Sequence, residues 1–125
     1  MRNKRRVLII DDEPGFTEMV KLNLEATGQF EVRIENQASE AVVTALSYLP
    51  ELILLDVIMP EIEGPDILLE FKRHPQLKKI PVVFLTATVT KDEVDAEEGN
   101  IAGHVFVAKP STVKELMDCI NRQIA

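Results

Sequence analysis

The sequence is short of several things at once. Its 125 residues include a single cysteine, Cys119, so no disulfide can close within the chain and a reducing compartment, the cytoplasm, is expected. Long apolar runs are missing. The longest, residues 7–10, 52–55, 82–85 and 105–108, are four residues each, far below the ~18 that a membrane span needs. The first residues are charged with no apolar segment behind them, unlike a secretory signal. Basic charge is scarce: 14 Lys+Arg against 21 Asp+Glu leave −7 at neutral pH, a poor balance for holding nucleic acid through its phosphates. The one basic cluster, Arg2, Lys4, Arg5 and Arg6, reads as a short solvated arm. Repeats and low-complexity tracts are absent too. This length is expected to form one domain over residues 1–125, able to bury roughly two-thirds of its unfolded surface without staples.

What is present is an alternation. Five short apolar runs alternate with segments of helical period. Four of the runs are continuous, as parallel strands covered on both faces require. The other, residues 30–34, alternates as Phe30-Glu31-Val32-Arg33-Ile34 and reads as an edge strand with one wet face. Between the runs, Phe16, Met19, Val20 and Leu24 make one helical stripe, and Ala38, Ala41, Val42, Ala45, Leu46 and Leu49 a second. Ile67, Leu68 and Phe71 make a third. The last stripe, Val113, Leu116, Met117, Ile120 and Ile124, is opened by Ser111 or by a Thr112–Glu115 capping box. Residues 88–103 form no stripe, so a short, poorly anchored fourth helix is expected there. Strands alternating with about five helices imply an α/β doubly wound sheet, a three-layer sandwich with right-handed crossovers.

In such sheets ligands bind beyond the carboxyl ends of the strands, where strand order reverses. The residues at those ends form a consistent set. The first strand runs into Asp11-Asp12-Glu13, the third ends in Asp56, the fourth in Thr86 and the fifth in Lys109-Pro110. Only the second strand delivers nothing distinctive. Three carboxylates crowded into one crevice repel, and at neutral pH they need protons or a cation. Hard oxygen ligands favour Mg²⁺, Ca²⁺ or Mn²⁺, and with no Cys or His at a strand end zinc is disfavoured. Three acids, a divalent cation and Lys109 together carry no net charge, so the site could accept a phosphoryl group. Asp56, at the end of the central buried run and so expected to be the most rigidly placed acid, is the candidate nucleophile. Each residue alone has a plainer reading, as a turn, a helix cap or a solvated lysine. Phe106 reads by default as a core aromatic, His74 and His104 as incidental, and Cys119 as buried filler. The coincidence of four strand ends carrying the groups of one reaction is what favours a site.

Those residues carry a resemblance. Asp11-Asp12 after residues 7–10, Asp56-Val57-Ile58-Met59-Pro60 with Gly64 beyond, Leu85-Thr86-Ala87 and Phe106-Val107-Ala108-Lys109-Pro110 together resemble the receiver domain of two-component response regulators, of the single-domain, chemotaxis-regulator-like kind. The resemblance covers essentially the whole chain. It implies a flavodoxin-like fold with a five-stranded parallel sheet of order 2-1-3-4-5. It further implies that Asp56 is phosphorylated by a sensor histidine kinase or a phosphotransfer protein. Mg²⁺, with Mn²⁺ able to replace it, would be held by Asp11, Asp12, Asp56 and the backbone carbonyl of Ile58. Thr86 and Lys109 would contact the phosphoryl oxygens, and Thr86 and Phe106 would form the switch. A downstream protein target is implied, with no direct binding to nucleic acid or membrane and a monomeric or weakly dimeric state. The domain would support its own phosphorylation and dephosphorylation without being a turnover enzyme.

The chain departs from the family pattern in places. Ile58 and Thr88 occupy positions that modulate attack of water on the acyl phosphate. Gly103 lies one residue closer to Lys109 than the family's common glycine does. Residues 91–98 hold five acids against Lys91, a net −4 that discourages symmetric self-association through that face. Two rival readings share the fold. A Mg²⁺-dependent phosphohydrolase acting through an aspartyl phosphate would want a second acid where Ile58 stands. A flavin- or nucleotide-binding module would want a Gly- or Ser/Thr-rich loop where Asp11-Asp12-Glu13 stands.

Overall fold

A computed structural model of the chain describes residues 4–86, 100–101, 104–108 and 112–124. Five parallel strands form the body of the sheet: β1 (Arg5–Ile10), β2 (Phe30–Glu35), β3 (Leu52–Asp56), β4 (Val82–Thr86) and β6 (His104–Ala108). A two-residue strand, β5 (Asn100–Ile101), pairs antiparallel with β6, and the order across the sheet is β2-β1-β3-β4-β6-β5. The expected parallel order is therefore present, with β5 added at one edge. Ile101 and His104 are partners, separated in sequence by Ala102 and Gly103. The fourth helix expected within residues 88–103 lies outside the described residues; of that segment only the strand β5 is described.

The continuous apolar runs have a direct structural reason. Side chains alternate across a strand, so each run feeds two cores. Val7, Ile9, Leu52, Leu54, Val83, Leu85 and Val107 pack under α1 (Pro14–Ala26) and the last described helix, α4 (Val113–Ile124). Leu8, Ile10, Ile53, Leu55 and Phe84 pack on the opposite face under α2 (Ala41–Tyr48) and α3 (Gly64–Lys72). Every residue of 7–10 and 52–55 is fully buried. Strand β2, at the edge, buries Phe30 and Val32 and exposes Glu31 and Arg33, as its alternation requires.

Four local features differ from the periodicity. In α1 the buried face is Thr17, Val20 and Leu24, whereas Met19 is 45% exposed. Thr17 can turn inward because its hydroxyl donates to the Pro14 carbonyl at 3.1 Å and accepts from Asn36 at 3.0 Å. The second stripe begins with a 3-10 turn, Ala38–Glu40, and its final member Leu49 leaves the helix at φ 48°. Pro50 follows, and a proline disfavours the α conformation in the residue before it. Arg5 and Arg6 are part of β1, not of a solvated arm. The guanidinium carbons of Arg6 and Arg33 lie 6.0 and 5.9 Å from the centre of the Tyr48 ring, within reach of a cation–π interaction. Burial and the Glu31 carboxylate, which accepts the Tyr48 hydroxyl hydrogen at 2.6 Å, push the phenol above its ordinary pKa, so it stays a donor. The capping box is present at α4: Thr112 N–H donates to the Glu115 carboxylate at 3.2 Å, and Glu115 N–H to the Thr112 hydroxyl at 3.1 Å. Cys119 is buried, and burial raises its thiol pKa, in keeping with inert packing.

The corrected face of α1 makes a quantitative prediction. Leu24→Ala should lower unfolding free energy by about 2–5 kcal/mol, and Met19→Ala by less than about 1 kcal/mol. Urea denaturation of both variants would check it; equal losses would contradict the assignment of Met19 to the surface.

Candidate functional site

The sheet order reverses between β1 and β3, which are neighbours with Ile10 opposite Leu55. The next residues along those strands, Asp11 and Asp56, therefore emerge side by side at the carboxyl edge. Asp12 follows Asp11 in the turn before α1. One carboxylate oxygen from each of Asp11, Asp12 and Asp56 lies within 4.8 Å of the others. Asp11 is fully buried, Asp56 is 5% exposed, and Asp12 is half-buried.

Each element is tied down close to these acids. The sheet ladder continues past the strand ends, with Asp11 N–H donating to Glu35 O and Val57 N–H to Leu85 O, both at 3.1 Å. Glu13 N–H donates to Asp11 Oδ1 at 3.0 Å, closing the turn into α1. Pro14 then opens the helix, where its missing N–H has no helical partner to lose. On the other side Gly64 N–H donates to Val57 O at 2.8 Å. A Cβ on Gly64 would collide with the carbonyl oxygen of Asp56 and sit 3.1 Å from Val57 Cα. Glycine at this position is thus what lets α3 start directly against the end of β3.

At an effective dielectric near 20, two unit charges this far apart repel by about 3 kcal/mol. Three such pairs approach about 10 kcal/mol, comparable with the whole stability of a domain. The donor set is all oxygen, and among the described residues no His or Cys joins it. These residues fit a hard divalent cation.

The other expected site residues are placed unevenly. Thr86 ends β4, with its Cα paired to that of Ala108, the last residue of β6. Lys109 itself, like Thr88, lies outside the described residues. Ile58 stands two residues beyond Asp56 with its side chain 55% exposed, while Met59 is buried. Phe106 is half-buried, its ring 5.2 Å from that of Phe84. The end of β2 contributes as well. Asn36 follows β2, and its side-chain amide donates to the Asp11 carbonyl at 2.8 Å and to the Thr17 hydroxyl at 3.0 Å. Asn36 holds the same post-strand position as Asp11, but an amide there carries no reaction chemistry that marks it in the sequence.

A family model described as the response regulator receiver domain matches residues 7–121. The chain belongs to that family. It is 32% identical over 120 residues to the response regulator Rre1 of Synechocystis sp., a match covering 95% of this chain and 51% of that protein. To the polar-differentiation response regulator DivK of Brucella anthropi it is 29% identical over 117 residues, 93% of each chain. The crystallised chemotaxis protein CheY4 of Vibrio cholerae superposes with a TM-score of 0.81 at 25% identity, over 97% of this chain and 99% of that one. The chain spans about half the length of curated relatives such as Rre1. As a receiver domain it is a phosphoacceptor module of two-component signalling. Its acidic triad can hold a metal ion. Among the described residues no helix is long and apolar enough to cross a membrane.

The close approach at Gly64 predicts that Gly64→Ala lowers stability by about 1–3 kcal/mol, the usual cost of forcing atoms into filled space. Chemical denaturation would show it as a lower midpoint, and an unchanged midpoint would contradict the contact with Asp56.

Proposed function

We propose that Asp56 of this receiver domain accepts a phosphoryl group from a sensor histidine kinase or a phosphotransfer protein, in a Mg²⁺-dependent reaction. The observation that carries this reading is the clustering of three carboxylates, two of them buried, at the reversal point of the sheet. A carboxylate oxygen of Asp56 attacks phosphorus, the bond from phosphorus to the donor imidazole nitrogen breaks, and the imidazole leaves with the bonding pair and takes up a proton. Asp11, Asp12, Asp56 and the Ile58 carbonyl are the groups that would hold Mg²⁺, whose charge would offset that on the phosphoryl oxygens. Lys109 and Thr86 would meet those oxygens from the β4–β6 side.

The same geometry supports further parts of the reading. Asp56 is 5% exposed, so a donor histidine has to be delivered by a protein packed on the rim of the crevice. A groove between α1 and α4 is lined by Phe16, Met19, Val20, Leu85, Ala108 and Val113, and the half-exposed Met19 offers apolar surface there. Phe106 would report occupancy of the site, turning as Thr86 moves toward the phosphoryl group. Ile58 offers no acid or amide to direct a water at the acyl phosphate, which favours a slow self-dephosphorylation. Residues 1–125 would act as one cytoplasmic receiver domain, as a monomer or weak dimer. Its net charge of −7 favours output through a protein target over direct contact with nucleic acid.

With acetyl phosphate and Mg²⁺, the protein should gain one acid-stable, base-labile phosphoryl group per chain, read by intact-mass spectrometry. Asp56→Asn should abolish the gain, and chelation of Mg²⁺ should suppress it. Retained labelling of Asp56→Asn would remove the reading, and steady release of phosphate from varied monoesters would favour a phosphohydrolase instead.

A further inference from the structure

The turn that carries Asp12, residues 11–13, belongs to neither β1 nor α1, so no ladder or helix bond holds the middle of it. It must nevertheless keep the Asp12 carboxylate within 4.8 Å of those of Asp11 and Asp56. Asn36 closes this turn from outside. Its Nδ2 donates both to the carbonyl of Asp11, at the start of the turn, and to the hydroxyl of Thr17, in the first turn of α1. An amide nitrogen has two hydrogens, so one planar group satisfies both acceptors. Thr17 passes the constraint on: its hydroxyl donates to Pro14 O at 3.1 Å and its backbone N–H to Glu13 O at 3.1 Å. Glu13 N–H returns to Asp11 Oδ1. The bonds form a ring through the ends of β1 and β2 and the first turn of α1. Thr17 is fully buried, and its neighbours on the inner face of α1, Val20 and Leu24, are apolar. A hydroxyl at that position has no packing advantage over a valine, so its use is the two hydrogen bonds.

We propose that Asn36 and Thr17 are positioning residues that clamp the Asp11–Asp12 turn and thereby set the divalent-cation affinity of the crevice. They touch neither the cation nor the phosphoryl group; they act through the Asp11 carbonyl and the first turn of α1. The inference rests on the reading of the crevice as a metal site. Groups that orient metal ligands from outside typically contribute 10–100-fold in affinity. Loosening the turn lets the carboxylates spread apart when no cation is bound, and binding must then gather them again.

The test is a titration of Mn²⁺ alone into the metal-free protein, following free Mn²⁺ by electron paramagnetic resonance. Wild type should bind one Mn²⁺, and Asp12→Asn should abolish or greatly weaken that binding. Asn36→Ala and Thr17→Val should each weaken it about tenfold. Because both variants open the same ring, the double variant should be no more than slightly weaker than either. Thr17→Ser, which keeps the hydroxyl, should bind like wild type. Thr44→Val is the control for general destabilisation. It removes a hydrogen bond from Thr44 to Glu35 at the same end of β2 without touching Asp11, and should keep wild-type affinity. Wild-type affinity in both Asn36→Ala and Thr17→Val, or equal weakening in Thr44→Val, would overturn the clamp while leaving the metal site standing. No binding by wild type, or binding unaffected by Asp12→Asn, would overturn the metal site itself. Should Asn36→Ala fail to fold, the Thr17 Val/Ser pair decides alone.

Discussion

Three carboxylates held within 4.8 Å of one another are the constraint from which most of this structure's functional features follow. Fully ionised, they would repel by about 3 kcal/mol per pair at an effective dielectric near 20. Over three pairs that repulsion rivals the total stability of a domain of this size. Asp11 and Asp56 cannot escape it by moving into solvent, because Asp11 directly follows, and Asp56 ends, a strand in which the four preceding residues are all buried. The fold therefore stores an electrostatic demand that a divalent cation would meet. A phosphoryl group can be accommodated in the same place once its charge is offset.

Around that demand the scaffold supplies rigidity from several directions. Parallel strands β1 and β3 place two acids in register, and both faces of the sheet are covered by helices, so neither strand can shift without opening a core. Gly64 brings the start of α3 against the carbonyl of Asp56. Asn36, from the edge strand, reaches across to the Asp11 carbonyl and to α1. These contacts differ in kind: backbone ladder, close steric approach and side-chain amide. Their common effect is to leave the acids little freedom to relieve their repulsion by rotation or drift.

Much of this was legible from the residues. Continuous apolar runs mark strands buried on both sides, and their last residues mark the crevice. Asp11, Asp12 and Asp56 could be named because position and charge pointed the same way. The parts that escaped are those where a side chain's role depends on a partner distant in sequence. Thr17 looks polar and Met19 apolar, yet Thr17 is buried because Asn36 and Pro14 satisfy its hydroxyl. Arg5 and Arg6 look like a solvated arm, yet they lie in β1, where Tyr48, at the end of α2, receives Arg6. Leu49 continues the periodicity of its helix and leaves it because Pro50 follows. Strand β5 is only two residues long, too short for any pattern to announce. Helical and strand periods report burial averaged over an element; they are silent on a single hydrogen bond that overrides it.

The most direct test of the account is the location of a bound cation. Anomalous diffraction from a crystal of the protein grown with Mn²⁺ should show one strong peak between the carboxylates of Asp11, Asp12 and Asp56. A peak only at some other acidic surface, with those three side chains turned apart or protonated and the crevice free of metal, would contradict it.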